Sequence, residues 1–189
     1  MKSLFALLFC ILSLFLTLPT SFVLAQTIPQ AQIVYQSTQV DLDKTGIPLQ
    51  LPQMIVALSV NPNLGYGTTL QLASREGYSL IVGNRTPCGG TPCALAYVEA
   101  IRLVPSLPEI PEMFVQPADE PENQPVRSPE SAAWLELLNG QKAYFTPWES
   151  FLGPGYSHLT WDLGDYRYDI SLKVGTRDAL VQMAESISN

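Results

Sequence analysis

The feature that most constrains this fold is a pair of alternating runs on either side of Gly164-Asp165. A turn centred on these two residues places three residue pairs opposite each other: Leu163 with Tyr166, Asp162 with Arg167, and Trp161 with Tyr168. One face of the pair is then apolar, with Leu159, Trp161, Leu163, Tyr166, Tyr168, Ile170, Leu172 and Val174. The other is polar, with His158, Thr160, Asp162, Arg167, Asp169, Ser171 and Lys173. Such alternation predicts an antiparallel hairpin with one wet face, and Gly164 suits the first position of a type II′ turn.

A helix is predicted directly after this hairpin. Thr176 is a favourable N-cap, and residues 177–187 read as helical. Four apolar side chains fall on one stripe of this helix: Leu180, Met183, Ala184 and Ile187. We expect the stripe to pack on the apolar face of the sheet.

Further strands are predicted upstream. Residues 134–138 and 142–146 flank Asn139-Gly140, a strong hairpin signal. Four more runs bounded by turn residues read as strands, at 53–60, 67–73, 77–84 and 94–104. The chain is therefore predicted to be α+β, with an antiparallel sheet of about six to eight strands covered by a C-terminal helix.

Residues 1–25 are predicted to be a signal peptide. Lys2 is followed by an almost uninterrupted apolar run over residues 4–18, then Pro19, and cleavage is expected after Ala25. The run is short for a membrane span of about 20 residues, so no retained anchor is expected. Residues 26–189 then form one predicted domain, secreted or periplasmic. This mature part has nine basic and 17 acidic residues, a formal charge of −8, which argues against nucleic acid as a partner.

Two cysteines remain in the mature chain, Cys88 and Cys93, because Cys10 lies in the signal peptide. An even pair in an exported chain predicts a disulfide. A spacing of four residues does not match a redox Cys-x-x-Cys motif, and a chain with one histidine offers too few zinc ligands. No metal, nucleotide or redox cofactor is expected.

Residues 105–130 form a proline-rich and acidic segment. It contains seven prolines and six acids against one base, Arg127. Because proline fixes φ and removes a donor, no ladder or helix is expected to run through it. We expect an extended linker or a long crossover loop.

His158 is the only histidine, so any histidine-dependent mechanism must use it. Four residues lie near it in sequence that could complete a triad: Ser157, Asp162, Asp169 and Ser171. No glycine-framed nucleophile elbow is present, and we expect an exposed, solvated His158, with Asp162 and Arg167 as a cross-strand ion pair. A carboxylate pair for hydrolysis could come from Glu136, Glu149, Asp162 or Asp165, but no spacing singles one out. No catalytic residue is assigned.

Aromatic residues cluster around residues 147–157: Tyr144, Phe145, Trp148, Phe151, Tyr156 and Trp161. Core packing is the first interpretation of this cluster. The second is a ligand surface that stacks on a sugar or contacts a lipid or peptide. Its candidate ligand-binding residues are Trp148, Phe151 and Tyr156.

Three segments resemble a group of uncharacterised exported bacterial proteins of a cyanobacterial type: YSLIVGNRTPCGGTPC, LLNGQKAYFTP and LTWDLGDYRYDISLKVGTRDALVQMAESI. The last segment also resembles a domain of unknown function in some bacterial anti-sigma and sporulation proteins. The resemblance covers residues 67–187. It implies a curved antiparallel sheet with a helix on one face, and it implies no activity.

These patterns predict an exported, non-catalytic envelope or extracellular binding module whose ligand is a lipid, a glycan or a protein. One alternative is a secreted hydrolase that uses His158 or a carboxylate pair. Another is a structural or interaction protein that contacts its partner through residues 105–130.

Overall fold

A computed structural model of the chain describes residues 26–29, 33–34, 36–57, 66–90, 92–114, 126–150 and 155–187. The predicted signal peptide and Phe151 lie outside these residues. The strands are β1 (Gln26–Pro29), β2 (Ile33–Val34), β3 (Met54–Ala57), β4 (Tyr66–Ser74), β5 (Gly77–Gly83), β6 (Ala94–Arg102), β7 (Val126–Arg127), β8 (Ala133–Glu136), β9 (Lys142–Thr146), β10 (Glu149–Ser150), β11 (Tyr156–Leu163) and β12 (Tyr166–Lys173). The helices are α1 (Gln36–Asp43), α2 (Arg177–Glu185) and a 3₁₀ helix (Ile110–Phe114).

Eight of these strands form one sheet, in the order β2-β4-β5-β6-β12-β11-β9-β8. Its neighbouring strands are antiparallel except for the two-residue β2, which is parallel to β4. Two short pairs, β1–β3 and β7–β10, lie outside it. The predicted α+β class, an antiparallel sheet with a C-terminal helix packed against it, is confirmed.

The β11–β12 hairpin has the predicted register. Asp162 lies opposite Arg167, Trp161 opposite Tyr168, and Leu163 opposite Tyr166. Gly164 has φ of +61°, a backbone conformation that glycine adopts without steric cost. The predicted hairpin at Asn139-Gly140 is also present, as β8 and β9.

The predicted disulfide links Cys88 to Cys93. It closes the loop between β5 and β6, which pair as antiparallel neighbours. Both cysteines are buried in a small cluster with Ile81 and Ala94, against which the Tyr97 and Tyr156 rings pack.

Helix α2 covers one face of the sheet, which we call the core face. The Thr176 hydroxyl oxygen accepts a hydrogen bond from the Ala179 amide at 3.3 Å, so the predicted N-cap is confirmed. The predicted stripe is buried at Leu180, Met183 and Ala184. It belongs to the same apolar cluster as the core-face residues Leu159, Trp161, Tyr168, Ile170 and Leu172.

The N-terminal segment, which shows no clear sequence pattern, also contributes to this core. Ile28, Leu42 and Ile55 are fully buried in it. The hydroxyl group of Tyr168 donates to the Pro48 carbonyl oxygen at 2.9 Å, which anchors the residues after α1 to the sheet. Burial, with a smaller effect from Tyr166, raises the pKa of the Tyr168 phenol to about 12.

The opposite face of the sheet, which we call the polar face, is not the wet face that the alternation predicts. Thr160, Ser171 and Arg167 all lie on it with exposed fractions of only 0%, 3% and 6%. A segment distant in sequence, residues 103–114, packs over this face, and the disulfide loop covers another part of it. The alternation therefore predicts correctly which residues share a face, but the prediction that the polar face is exposed to solvent is wrong.

The 3₁₀ helix at Ile110–Phe114 corrects the expectation that residues 105–130 hold no helix or ladder. Pro111 lies in its first turn, where no backbone N–H is needed for an intrahelical hydrogen bond. At the other end of the segment, β7 pairs with β10. We call residues 103–114 the cap segment.

Candidate functional site

A cavity of about 150 Å³ lies between the polar face and the cap segment. Strands β6, β11 and β12 contribute its floor, and the 3₁₀ helix contributes an apolar wall. The lining residues are Glu99, Ile101, Met113, Phe114, His158, Thr160, Arg167 and Asp169. Both sides of the cavity thus come from described residues that are far apart in sequence.

Arg167 ties the cap segment to the sheet. Its Nε and Nη2 atoms donate to the two carboxylate oxygens of Asp162 at 2.7 and 3.0 Å, so the predicted cross-strand ion pair is confirmed. Its Nη1 atom donates to the Pro108 carbonyl oxygen at 2.6 Å and lies 3.1 Å from the Met113 sulfur. All three guanidinium nitrogens therefore have partners within the protein, which the local sequence pattern did not reveal.

His158 is half-buried, so the expectation of an exposed, solvated histidine is wrong. Its Nδ1 atom lies 3.0 Å from Oδ2 of Asp169, and its ring lies 5.2 Å from the ring of Phe114 in the cap segment. Burial lowers the pKa of the imidazole, but the Asp169 and Glu99 carboxylates outweigh that effect, and the pKa is raised above 6.5. The imidazole in the folded protein therefore keeps its proton to a higher pH than a free histidine does.

Asp169 and Glu99 lie side by side on neighbouring strands, since they are partners in the β12–β6 register. Thr160 donates its hydroxyl proton to Oδ1 of Asp169 at 2.5 Å, so both oxygens of that carboxylate have partners. The Ser79 hydroxyl donates to Oε1 of Glu99 at 2.5 Å. Among the described residues, Oε2 of Glu99 has no hydrogen-bond partner.

Glu99 is the site residue that the sequence reasoning missed. Strand β6 alternates between buried and half-buried residues, with Ala96, Val98 and Ala100 on the core face, so Glu99 falls on the polar face. The alternation along β6 can be read from the sequence. The position of Glu99 beside Asp169 cannot, because β6 and β12 are 64 to 76 residues apart at their paired positions and no local rule predicts that these strands are neighbours.

The residues proposed for a triad are not brought together. Ser157 lies on the core side, where its hydroxyl donates to the Gly175 carbonyl oxygen at 2.6 Å and accepts from the Trp148 amide. Ser171 lies opposite His158 in the register. Within the described ranges, neither serine hydroxyl hydrogen-bonds to the His158 ring.

The carboxylates considered for hydrolysis are also scattered. Glu149 pairs with Arg127 at 3.2 Å, and Asp162 pairs with Arg167. Glu136 lies at the end of β8, on the edge of the sheet, and Asp165 lies in the β11–β12 turn. The adjacent carboxylates in the structure are instead Glu99 and Asp169.

Two of the three aromatic candidates lie in the described part of the chain, and neither lines the cavity. The Tyr156 ring packs edge-to-face on Tyr97 at 5.2 Å, and its hydroxyl donates to the Ala94 carbonyl oxygen at 3.3 Å. Burial, followed by the effect of Tyr97, raises the pKa of the Tyr156 phenol far above its ordinary value. Trp148 is half-buried. A ligand-binding role for Trp148, Phe151 and Tyr156 stays a prediction.

Neither a membrane-crossing helix nor a metal centre stands out in the ranges the structure describes. No helix there is long and apolar enough to cross a membrane. No group of three or more His, Cys, Asp or Glu side chains there is arranged to hold a metal ion. Comparison of the chain with protein-family models, curated proteins and solved structures gave no match.

Proposed function

We propose that this chain is an exported, non-catalytic binding module, and that the cavity under the cap segment is its ligand site. The observation that carries this proposal is the combination of apolar side chains, Met113 and Phe114 on the 3₁₀ helix and Ile101 on the sheet, with a few convergent polar groups. Ligand sites in proteins commonly have this composition. A cavity of about 150 Å³ suits a molecule of roughly benzene size, or one chemical group of a larger ligand.

Export is supported by two features. Residues 1–25 have the pattern of a signal peptide. The Cys88–Cys93 disulfide fits an oxidising compartment, where such bonds persist.

The hydrogen-bond partners of the polar groups in the cavity favour binding over hydrolysis. Both oxygens of Asp169 accept hydrogen bonds from neighbouring side chains, and the guanidinium of Arg167 holds Asp162 and Pro108. A general base needs a substrate or nucleophile within hydrogen-bond reach, and in the described part of the chain no serine or threonine hydroxyl occupies that place beside the His158 ring.

Binding in the cavity is also favoured over a free interaction segment at residues 105–130. The described beginning of that segment packs on the sheet through Pro108, Met113 and Phe114. Its described end pairs with β10 and donates from the Ser128 amide to the Trp148 carbonyl oxygen at 3.0 Å.

The proposal is tested by a fragment screen followed by NMR on the isotope-labelled mature protein. We expect some small organic fragments to shift the resonances of Ile101, Phe114 and His158 together, with saturation. An Ile101→Trp variant, which fills the cavity, should lose these shifts. A Leu72→Trp variant is the matched control, because Leu72 is half-exposed on β4 and lies outside the cavity.

Two results would contradict the proposal. One is that no fragment shifts the cavity resonances, or that the shifts survive in Ile101→Trp. The other is substrate turnover by the purified protein that disappears in His158→Ala, which would favour the hydrolase instead.

A further inference from the structure

We infer that the ligand held in this cavity is an organic ammonium cation, with Glu99 as its counter-ion and Phe114 as the aromatic wall beside it. The inference rests on the proposed function, because it assigns a ligand class to the same site. Its first support is the charge of the cavity. Asp162, the ion-pair partner of Arg167, lies outside the lining, and His158 pairs with Asp169, so Glu99 is the lining carboxylate that forms no ion pair among the described residues.

The cationic groups at the site already have partners within the protein. Nε, Nη1 and Nη2 of Arg167 all donate within the protein, to Asp162 and to the Pro108 carbonyl oxygen. The Nδ1 atom of His158 faces Asp169. An anionic ligand would also have to approach the carboxylates of Glu99 and Asp169, which line the same cavity.

Glu99 is the acceptor that a cation can use. The Ser79 hydroxyl holds one of its oxygens, which fixes the orientation of the carboxylate, while the other has no partner among the described residues. A charge-assisted hydrogen bond from an ammonium group to that oxygen would satisfy it. Asp169 is the less available acceptor, since each of its oxygens already has one partner, Thr160 or His158.

The apolar wall suits the organic part of the same ligand. The Phe114 ring lies beside His158, at the edge of the cavity, and Ile101 and Met113 complete the wall. Aromatic faces attract organic cations, and methylene or methyl groups on the ammonium nitrogen would be buried against this wall. A bare metal ion is disfavoured because no group of three or more metal-ligating side chains is found in the described ranges.

The test compares three probes with one shared body: tert-butylammonium, tert-butanol and pivalate. Their tert-butyl group has a size that fits the cavity, and they differ in carrying a positive, zero or negative charge. Each is titrated into the labelled mature protein in about 0.15 M salt, which screens the general attraction of an acidic surface. Binding is followed by the shifts of Ile101 and Phe114 and by nuclear Overhauser contacts from the probe methyl protons.

We expect tert-butylammonium to bind about tenfold more tightly than tert-butanol, as a hydrogen bond to a charged group implies. Pivalate should bind most weakly. Glu99→Gln should weaken tert-butylammonium by about tenfold and leave tert-butanol unchanged. Glu76→Gln is the matched control, because it removes the same charge from an exposed side chain at the β4–β5 turn. It should change the affinity for neither tert-butylammonium nor tert-butanol.

The outcomes separate this inference from the proposed function. Equal binding of the three probes, tighter binding of pivalate, or an unchanged affinity in Glu99→Gln would overturn the ammonium assignment and leave the ligand site standing. If no probe and no fragment of the wider screen shifts the cavity resonances, the proposed function fails as well.

Discussion

The two faces of the same sheet are buried in different ways. On the core face, α2 and the N-terminal segment bury apolar side chains such as Ile170 and Leu180, and few polar atoms need partners. On the polar face, the cap segment buries Thr160 and Arg167, whose polar groups are held by hydrogen bonds. Burying apolar surface stabilises a fold directly, whereas buried polar groups add little net stability even when they are paired.

This difference separates what each face can contribute. The core face accounts for the stability of the fold through apolar packing. The polar face positions a defined set of donors and acceptors next to a cavity, an arrangement that we propose serves ligand specificity more than stability. Variants that affect the two faces separately should therefore separate stability from ligand binding.

The largest expected effect is on the core face. Ile170→Ala removes a fully buried side chain from β12 and should lower the free energy of unfolding by about 2 to 5 kcal/mol. Leu163→Ala, at the exposed end of the same hairpin, is the matched control and should cost less than about 1 kcal/mol. Denaturant unfolding of the two variants measures both values. Equal losses would show that burial on this face does not determine stability.

An intermediate effect is expected where the cap segment meets the polar face. Arg167→Met removes the hydrogen bonds to Asp162 and Pro108 and should lower the free energy of unfolding by about 1.5 to 3 kcal/mol. Because the cap segment loses its anchor, hydrogen exchange should accelerate at the amides of Leu107, Glu112 and Met113.

Arg127→Met serves as the control for this variant. Arg127 forms a partly exposed ion pair with Glu149 at 3.2 Å, away from the cap segment. Arg127→Met should change the free energy of unfolding by less than about 1 kcal/mol and leave amide hydrogen exchange in the cap segment unaltered. Unchanged exchange at these amides in Arg167→Met would mean that Arg167 does not hold the cap segment.

The smallest expected effect is the pH dependence that His158 introduces. Although burial lowers the pKa of its imidazole, Asp169 and Glu99 raise it above 6.5 overall, so protonation stabilises the fold. This contribution is fully present below pH 6.5 and is lost as the pH rises through the raised pKa. As the pH rises through this pKa, the difference in free energy of unfolding between the wild type and His158→Gln should therefore shrink. The change should be less than about 1 kcal/mol, since the ring is partly exposed. Urea unfolding at a series of pH values measures it, and a difference that grows with pH would refute the assignment.

Local patterns were sufficient for much of the fold. The Gly164-Asp165 hairpin, its register and the C-terminal helix were predicted because turn residues, alternation and an N-cap all act over a few positions. Helix α1 was not predicted, because the sequence QSTQVDLD has few apolar residues to mark a buried stripe.

The candidate site was much less predictable, because its parts come from distant segments. Asp162 and Arg167 were paired correctly from the hairpin register alone. The exposure of His158 was predicted wrongly, because its cover comes from Phe114, 44 positions earlier in the chain. Glu99 was overlooked for the related reason that the pairing of β6 with β12 brings it to Asp169.

A crystallographic fragment screen of the mature protein tests directly whether the polar face carries a ligand site. We expect fragment density in the cavity between Phe114 and Ile101, with a cationic fragment within hydrogen-bond distance of Glu99. Fragments found at other surfaces but never in this cavity would contradict it. So would a crystal structure in which the cap segment packs directly on His158 and Asp169 and leaves no cavity.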